Sequence, residues 1–214
     1  MSDLQWGLSM VGCEETILNA VGVTAASASG VRLRYVEIGC ANCLTLVQVC
    51  NALERTGRPW EAIGLDLPDN VDGFISPRSW CQDKQEAQKN IEQFGQRVRL
   101  EHGISWEWLS IRYGMAISLA MVDGCHEKEC VKRDFLALEP MIVPGGCVVF
   151  HDTSEWSQGT DPQHHLGQPI EVRKALVELQ LLPPLREWWS LVGVADGRES
   201  EGGRGCMVYQ RRTT

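Results

Sequence analysis

The sequence predicts an α/β fold: a doubly wound, mostly parallel seven-stranded sheet finished by a C-terminal antiparallel hairpin. Three observations carry this. Compact apolar runs alternate with segments of helical periodicity, as in a parallel sheet wound by crossover helices. The runs end in small or acidic residues, where such sheets place their sites. The last two runs are separated only by a Gly/Glu/Ser-rich turn, which suits antiparallel pairing.

Residues 33–38 (Leu-Arg-Tyr-Val-Glu-Ile) read as a strand entering a core, and 44–55 as a helix ending near Gly57. Ala62–Leu65 is a second strand that ends at Asp66. Pro68, Asn70, Gly73 and Pro77 then mark a long loop. Residues 84–94 have the pattern of a surface helix, and 97–101 alternate like a short strand. Residues 117–122 form a strand candidate, 128–142 a helix closing at Pro144-Gly145-Gly146, and 147–150 a strand ending at His151-Asp152. A polar segment over 153–169 precedes a helix at about 170–181. Strands near 185–194 and 205–210 flank the turn 196–204. Residues 14–21 suggest one N-terminal helix. A cap over the site, the subunit interface of a homodimer and a plain surface helix are all open for it.

Composition narrows the function. A chain of 214 residues with 43% hydrophobic and 22% charged residues can bury a core as one unit. A net charge of -8 and a pI near 5.2, without a Lys/Arg stripe, argue against nucleic acid and anionic lipid as partners. The absence of any long apolar run argues against a membrane span. Nine cysteines, an odd number and several inside apolar runs, suggest reduced thiols and a cytoplasmic protein. Cys40 and Cys43 form a C-x-x-C pair, but no second such pair completes a zinc site.

The strand ends carry Glu37 and Gly39, Asp66, Gly103, Asp123 and Asp152. Gly39 opens a turn of small residues in which backbone can approach a ligand closely. The missing G-x-G-x-x-G argues against a nicotinamide dinucleotide. Asp66 is placed to accept hydrogen bonds from ribose hydroxyls; capping the next segment is the plain alternative. Asp123-Gly124-Cys125-His126 and His151-Asp152-Thr153 end neighbouring strands. Two carboxylates facing one cleft call for a cation or a shared proton, so a divalent metal with oxygen ligands is a natural resident, able to orient a substrate oxygen; an Asp152 that only caps the following loop, with His126 on the surface, is the plain alternative.

These residues resemble class I S-adenosylmethionine-dependent methyltransferases, in the branch similar to macrocin O-methyltransferase and cephalosporin-biosynthesis proteins. The resemblance rests on Met121-Val122-Asp123-Gly124-Cys125-His126, Val131-Lys132-Arg133-Asp134, Leu138-Glu139-Pro140 and the run from Pro144 to Thr153, together with Glu37-Ile38-Gly39 and Gly64-Leu65-Asp66. It implies a Rossmann-like methyltransferase fold over 1–214. Residues 1–30 would be a cap, 31–153 the cofactor-binding core, and 154–214 a substrate loop and hairpin.

It further implies that Glu37, Gly39, Cys40, Ala41 and Asn42 hold the methionine part of S-adenosylmethionine, and Asp66 with Leu67 the ribose. Gly103, Ile104 and Ser105 would hold the adenine, and Asp123 would border the cofactor. Asp123, His151 and Asp152 would be the ligands of Mg2+ or another divalent metal, and Asp123 or His126 the base that deprotonates an accepting hydroxyl. The expected reaction is O-methylation of a small hydroxylated acceptor, a sugar or a phenol. Residues 1–20, the loop 68–83 with Phe74 and Trp80, and 153–169 with Trp156, His164 and His165 would frame that acceptor. The family commonly has glycine where Cys43 stands and an acidic residue where Ile104 stands. A binding protein that kept the fold without the catalysis is therefore the alternative.

Overall fold

The computed structural model describes residues 10–30, 32–67, 84–160, 169–196 and 204–213. The chain runs α1 (Glu14–Ser27), β1 (Leu33–Ile38), α2 (Leu44–Arg55), β2 (Trp60–Asp66), α3 (Lys84–Ile91), β3 (Val98–His102), α4 (Ser105–Ser110), β4 (Ile117–Val122), α5 (Lys128–Leu138) and β5 (Ile142–His151). It continues through β6 (Gly159–Thr160), β7 (Pro169–Ile170), α6 (Val172–Glu178), β8 (Trp189–Ala195) and β9 (Cys206–Arg211).

Seven strands form one sheet in the order β3-β2-β1-β4-β5-β9-β8, and β6 and β7 form a separate two-stranded ribbon. β1 to β5 are parallel, while β9 pairs antiparallel with both β5 and β8. The sheet is therefore Rossmann-like and ends in the expected antiparallel hairpin. Strand order reverses between β1 and β4, and that crevice is where an open α/β sheet receives ligands.

Period-two alternation sends the strand side chains into two apolar layers. Leu33, Tyr35, Leu119, Met121, Cys147 and Val149 face one side, where Ile17, Leu46, Val49 and Leu53 of α1 and α2 cover them. Val36, Ile38, Ala120, Val122, Val148 and Phe150 face the other, under Leu109, Phe135 and Leu176 of α4, α5 and α6. Covering both faces explains why β4 is buried at every position. On the second side Phe135 packs against Phe150 and Trp189, with ring centroids 5.7 and 5.4 Å apart. Trp189 satisfies its indole N–H on Glu139, 2.9 Å away.

Three boundaries differ from the sequence reading. The N-terminal helix reaches Ser27 and buries Ile17, Ala20, Val21 and Thr24, so it is a core element packed on β5 rather than a surface helix. A short helix, α4, follows Ser105 where only a turn was expected. Most informative is Pro144-Gly145-Gly146, predicted as the stop of a helix and found inside β5. The helix stops at Leu138, and a 3-10 turn over Glu139–Met141 leads straight into the strand. The two glycines serve close packing: a Cβ on Gly145 (φ +78°) would sit 2.1 Å from the Ser27 carbonyl oxygen, and one on Gly146 2.7 Å from that of Ser118. The ladder between β4 and β5 shifts register at this point.

Gly145→Ala is accordingly expected to cost about 1–3 kcal/mol from the left-handed backbone and the clash with α1. For a chain of this size that lowers the thermal midpoint by roughly 3–10 °C. A midpoint within 1 °C of wild type in calorimetry would show that α1 does not pack on β5 through this glycine.

Candidate active site

The crevice is shaped first by backbone. Gly39 leaves β1 with φ +81°, and a Cβ there would lie 2.3 Å from the Asp123 carbonyl oxygen and 2.6 Å from the Gly124 Cα. Its small size thus serves the packing of the β1 exit against the β4 exit. The Asp123 N–H donates to the Ile38 carbonyl at 2.9 Å and locks the two exits together. The turn that follows holds two non-glycine residues at positive φ, Ala41 at 44° and Cys43 at 65°. Cys43 stands where the resemblance anticipates glycine, and its side chain is fully buried.

Asp66, at the end of β2, joins this turn to its own strand. One carboxylate oxygen accepts the Ala41 N–H at 2.7 Å, and the other accepts the Leu67 N–H at 2.8 Å. Burial outweighs both bonds and raises its pKa above the ordinary aspartate value. The oxygen that meets Ala41 also accepts the Cys40 thiol at 3.9 Å, and the one that meets Leu67 retains a second lone pair. Cys40, Ala41, Leu67, Ala87, Leu100 and His102 line a narrow cleft around it. Lys84 and Glu101 complete its lining, so the walls are apolar at Ala87 and Leu100 and charged beside them.

The other residues expected around a cofactor are placed less directly. Glu37 is fully buried and accepts the Tyr35 hydroxyl at 2.6 Å; burial pushes its pKa up to about 8. It therefore supports the crevice from within. Asn42 accepts a bond from the Asn90 side chain at 2.9 Å through its carbonyl, tying the turn to α3. The Gly103 N–H donates to the Asp66 carbonyl at 2.9 Å, so the turn after β3 sits beside the end of β2. Ile104 precedes α4 in extended conformation. Ser105 is buried and donates its hydroxyl to Asp134 of α5.

At the ends of β4 and β5 four ionisable groups converge. His126 Nε2 lies 2.9 Å from Asp152 Oδ2 and 3.5 Å from Asp123 Oδ1, and His151 Nδ1 lies 2.7 Å from Asp123 Oδ1 and 3.5 Å from Asp152 Oδ1. Asp123 is the most open, with 15% of its side chain exposed, against 8% for His126 and 1% for Asp152. Burial works against charge on every member, but the pairing outweighs it. Facing carboxylates hold both imidazoles up at about 10, and the imidazoles hold Asp152 well below the carboxylate range and Asp123 below its ordinary value. Asp152 adopts φ 56°, which turns its carboxylate back over the strand end.

The donor atoms of Asp123, His126 and Asp152 all lie within 4.8 Å of one another. Their 2.9 and 3.5 Å separations are about those of adjacent ligands around one ion roughly 2.1 Å from each. Asp152 Oδ1 is buried and accepts no hydrogen bond, with His151 at 3.5 Å and Arg204 at 4.0 Å as its nearest cations. The donor set therefore fits a small divalent ion. His126, expected as a base, stands in this donor group, while His151, expected as a ligand, lies at hydrogen-bond distance from Asp123.

Sequence reasoning missed the supports around Asp152. Arg204 approaches it from the start of β9. Gln158 donates to the Asp152 carbonyl at 2.7 Å and accepts the Arg173 N–H at 3.1 Å. Arg173 also holds the Thr153 carbonyl at 3.0 Å. These residues lie in turns or on a helix start and carry no periodic signal. Of the aromatic and His residues expected to frame an acceptor, Trp156 is 41% exposed. Phe74, Trp80, His164 and His165 lie outside the described residues, as does the loop 68–83.

A family profile described as a methyltransferase domain matches residues 36–153, which span β1 through the end of β5. No curated protein matches the chain in sequence. Among solved structures, the O-methyltransferase TomG of Streptomyces achromogenes, in complex with S-adenosylmethionine, is similar at 16% identity and a TM-score of 0.64, over 100% of this chain and 84% of that one. The methyltransferase PaMTH1 of Podospora anserina, bound to S-adenosylhomocysteine, is similar at 13% identity and a TM-score of 0.62, over 94% and 78%. A Corynebacterium glutamicum protein is similar at 15% identity and a TM-score of 0.64, over 94% and 82%. Among the described residues no helix is long and apolar enough to cross a membrane.

The Ser105–Asp134 contact gives the start of α4 a pH signature. Burial raises the Asp134 pKa to about 7, with the Ser105 hydroxyl only partly opposing it. The folded state thus binds this proton more tightly than the unfolded chain, and Asp134 costs stability as pH rises from about 4 through 7. Asp134→Asn should raise the unfolding free energy at pH 8.5 by an amount on the order of 2 kcal/mol, with a corresponding rise in melting temperature, and change both little at pH 4. An equal shift at both pH values would show that Asp134 is not carried protonated into the fold.

Proposed function

Because the chain belongs to the methyltransferase-domain family, we propose that its activity is transfer of a methyl group from S-adenosylmethionine to an oxygen of a small hydroxylated acceptor, with a divalent cation assisting. The observation that carries this reading is the adjacency of two unlike sites on one crevice. A nucleoside-type carboxylate, Asp66, stands at the end of β2, and the ligand-like group Asp123, His126 and Asp152 stands at the ends of β4 and β5.

Asp66 would accept the ribose hydroxyls, and the turn Gly39–Asn42 would border the methionine part. Gly103–Ser105 would flank the adenine. S-adenosylmethionine supplies a methyl group already activated on a sulfonium, so the residues here need chiefly to align the acceptor and take one proton. A divalent cation, when bound by Asp123, His126 and Asp152, supplies Lewis acidity toward a hydroxyl.

Asp123 is the most exposed of that group and is in its unprotonated form, which makes it the better proton acceptor. His126 is held protonated between Asp123 and Asp152 and has no free pair to act as base in this state. His151 keeps the Asp123 carboxylate oriented through its 2.7 Å contact. An oxygen acceptor agrees with this oxygen-rich set, and TomG is itself described as an O-methyltransferase involved in tomaymycin synthesis.

Two variants test the two halves separately. Asp66→Ala removes two charge-assisted bonds from the turn and the proposed ribose contact, and should weaken S-adenosylhomocysteine binding at least about tenfold by calorimetry. Unchanged affinity would remove Asp66 from the cofactor site. Asp152→Asn should lower turnover with a hydroxylated acceptor by about a hundredfold while cofactor affinity stays within threefold. Equal losses in both would place Asp152 in folding or cofactor binding instead.

A further inference from the structure

We propose that Cys125, Glu127 and Cys130 form a second cation site, thiolate-rich and suited to Zn2+, on the turn between β4 and α5. The two thiol sulfurs and a Glu127 carboxylate oxygen lie within 4.8 Å of one another. The sequence Cys-x-Glu-x-x-Cys places them there through local geometry. Glu127 is the N-cap of α5 in extended conformation (φ −68°, ψ 140°), and Cys130 falls in the first helical turn, which carries it back over the incoming strand exit at Cys125. Both cysteines are half-buried, so an ion can reach them from solvent.

The ammonium groups of Lys128 and Lys132 are drawn to Glu178, at 2.6 Å each, and so are directed away from the three donors. Ligands at about 2.3 Å for sulfur and 2.1 Å for oxygen stand roughly 3.5–3.8 Å apart around a tetrahedral ion. Donors within 4.8 Å of one another can close to that spacing by side-chain rotation. Each thiol releases its proton to solvent as its sulfur–metal bond forms, with no change of oxidation state.

The chemistry separates this site from the one at Asp123, His126 and Asp152. Thiolates select Zn2+ or Cu(I) over Mg2+, whereas the other group offers oxygen and imidazole. One stretch of chain, Asp123 to Glu127, feeds both: Asp123 and His126 turn to the crevice, Cys125 and Glu127 to the start of α5. Occupancy of the thiolate site would fix the backbone that presents Asp123 and His126. Among the described residues the C-x-x-C pair, Cys40 and Cys43, belongs to no group of three such donors.

The test is titration of the full chain, stripped of metal and reduced, with Co2+ as a spectroscopic stand-in for Zn2+. The expected result is an intense thiolate-to-cobalt charge-transfer band in the near ultraviolet. It should saturate at one equivalent and be abolished by Zn2+. Cys125→Ser/Cys130→Ser should lose the band while its far-ultraviolet circular dichroism remains that of wild type. Cys40→Ser/Cys43→Ser and Asp123→Asn/Asp152→Asn should keep it. Absence of the band in the wild-type chain, or its survival in Cys125→Ser/Cys130→Ser, overturns the proposal. Should the double-serine variant fail to fold, Glu127→Gln serves: its Zn2+ affinity should drop by at least about tenfold, the loss that even outer partners of a metal ligand cause, and unchanged affinity overturns the site.

Discussion

Two aspartates at the ends of adjacent parallel strands, both withdrawn from solvent, can remain ionised together only if positive charge lies between them. In this chain Asp123 and Asp152 meet that condition with two imidazoles, His126 and His151. Each histidine is held charged by a carboxylate, and each carboxylate is held charged by a histidine. The arrangement keeps a strongly polar group in register at the floor of the crevice. Arg204 from β9 and the Gln158–Arg173 bridge behind Asp152 anchor it from the antiparallel side of the sheet. The C-terminal hairpin is thus a structural support of the site as well as the sheet's edge.

The nucleoside side of the crevice follows a different logic. There, one carboxylate, Asp66, organises a turn whose backbone holds Ala41 and Cys43 in the left-handed region without glycine's freedom. Such conformations cost about 1–3 kcal/mol each and persist where surrounding contacts impose them. The Asp66 bond to the Ala41 N–H and the full burial of Cys43 supply those contacts. The left-handed backbone at position 43 is therefore accommodated by packing without glycine.

Much of this was legible in the sequence because the strands are short apolar runs and their exits are punctuated by Gly39, Asp66, Asp123 and Asp152. β1, α2 and β4 fall where periodicity puts them, since burial on both faces leaves an uninterrupted apolar signal. The misreading at Pro144-Gly145-Gly146 has a physical cause. Those residues look like a helix stop, but their smallness answers to the Ser27 and Ser118 backbones, which are distant in sequence and leave no local trace. The packing of Gly39 was likewise not legible, because its neighbour is the Asp123 backbone on another strand. The two histidines could be assigned to the crevice but not to their partners, because strand-end geometry, rather than spacing, decides which imidazole meets which carboxylate. Arg204, Arg173 and Gln158 were invisible for the same reason.

The central claim is that this crevice still binds the methyl donor and joins it to a cation-assisted acceptor site. Calorimetric titration of the wild-type chain with S-adenosylhomocysteine, with and without Mg2+, tests it most directly. Binding in the micromolar range, on the order of −8 kcal/mol, is the predicted result. No heat of binding in either condition would contradict it, and would identify the chain as a fold retained without its cofactor.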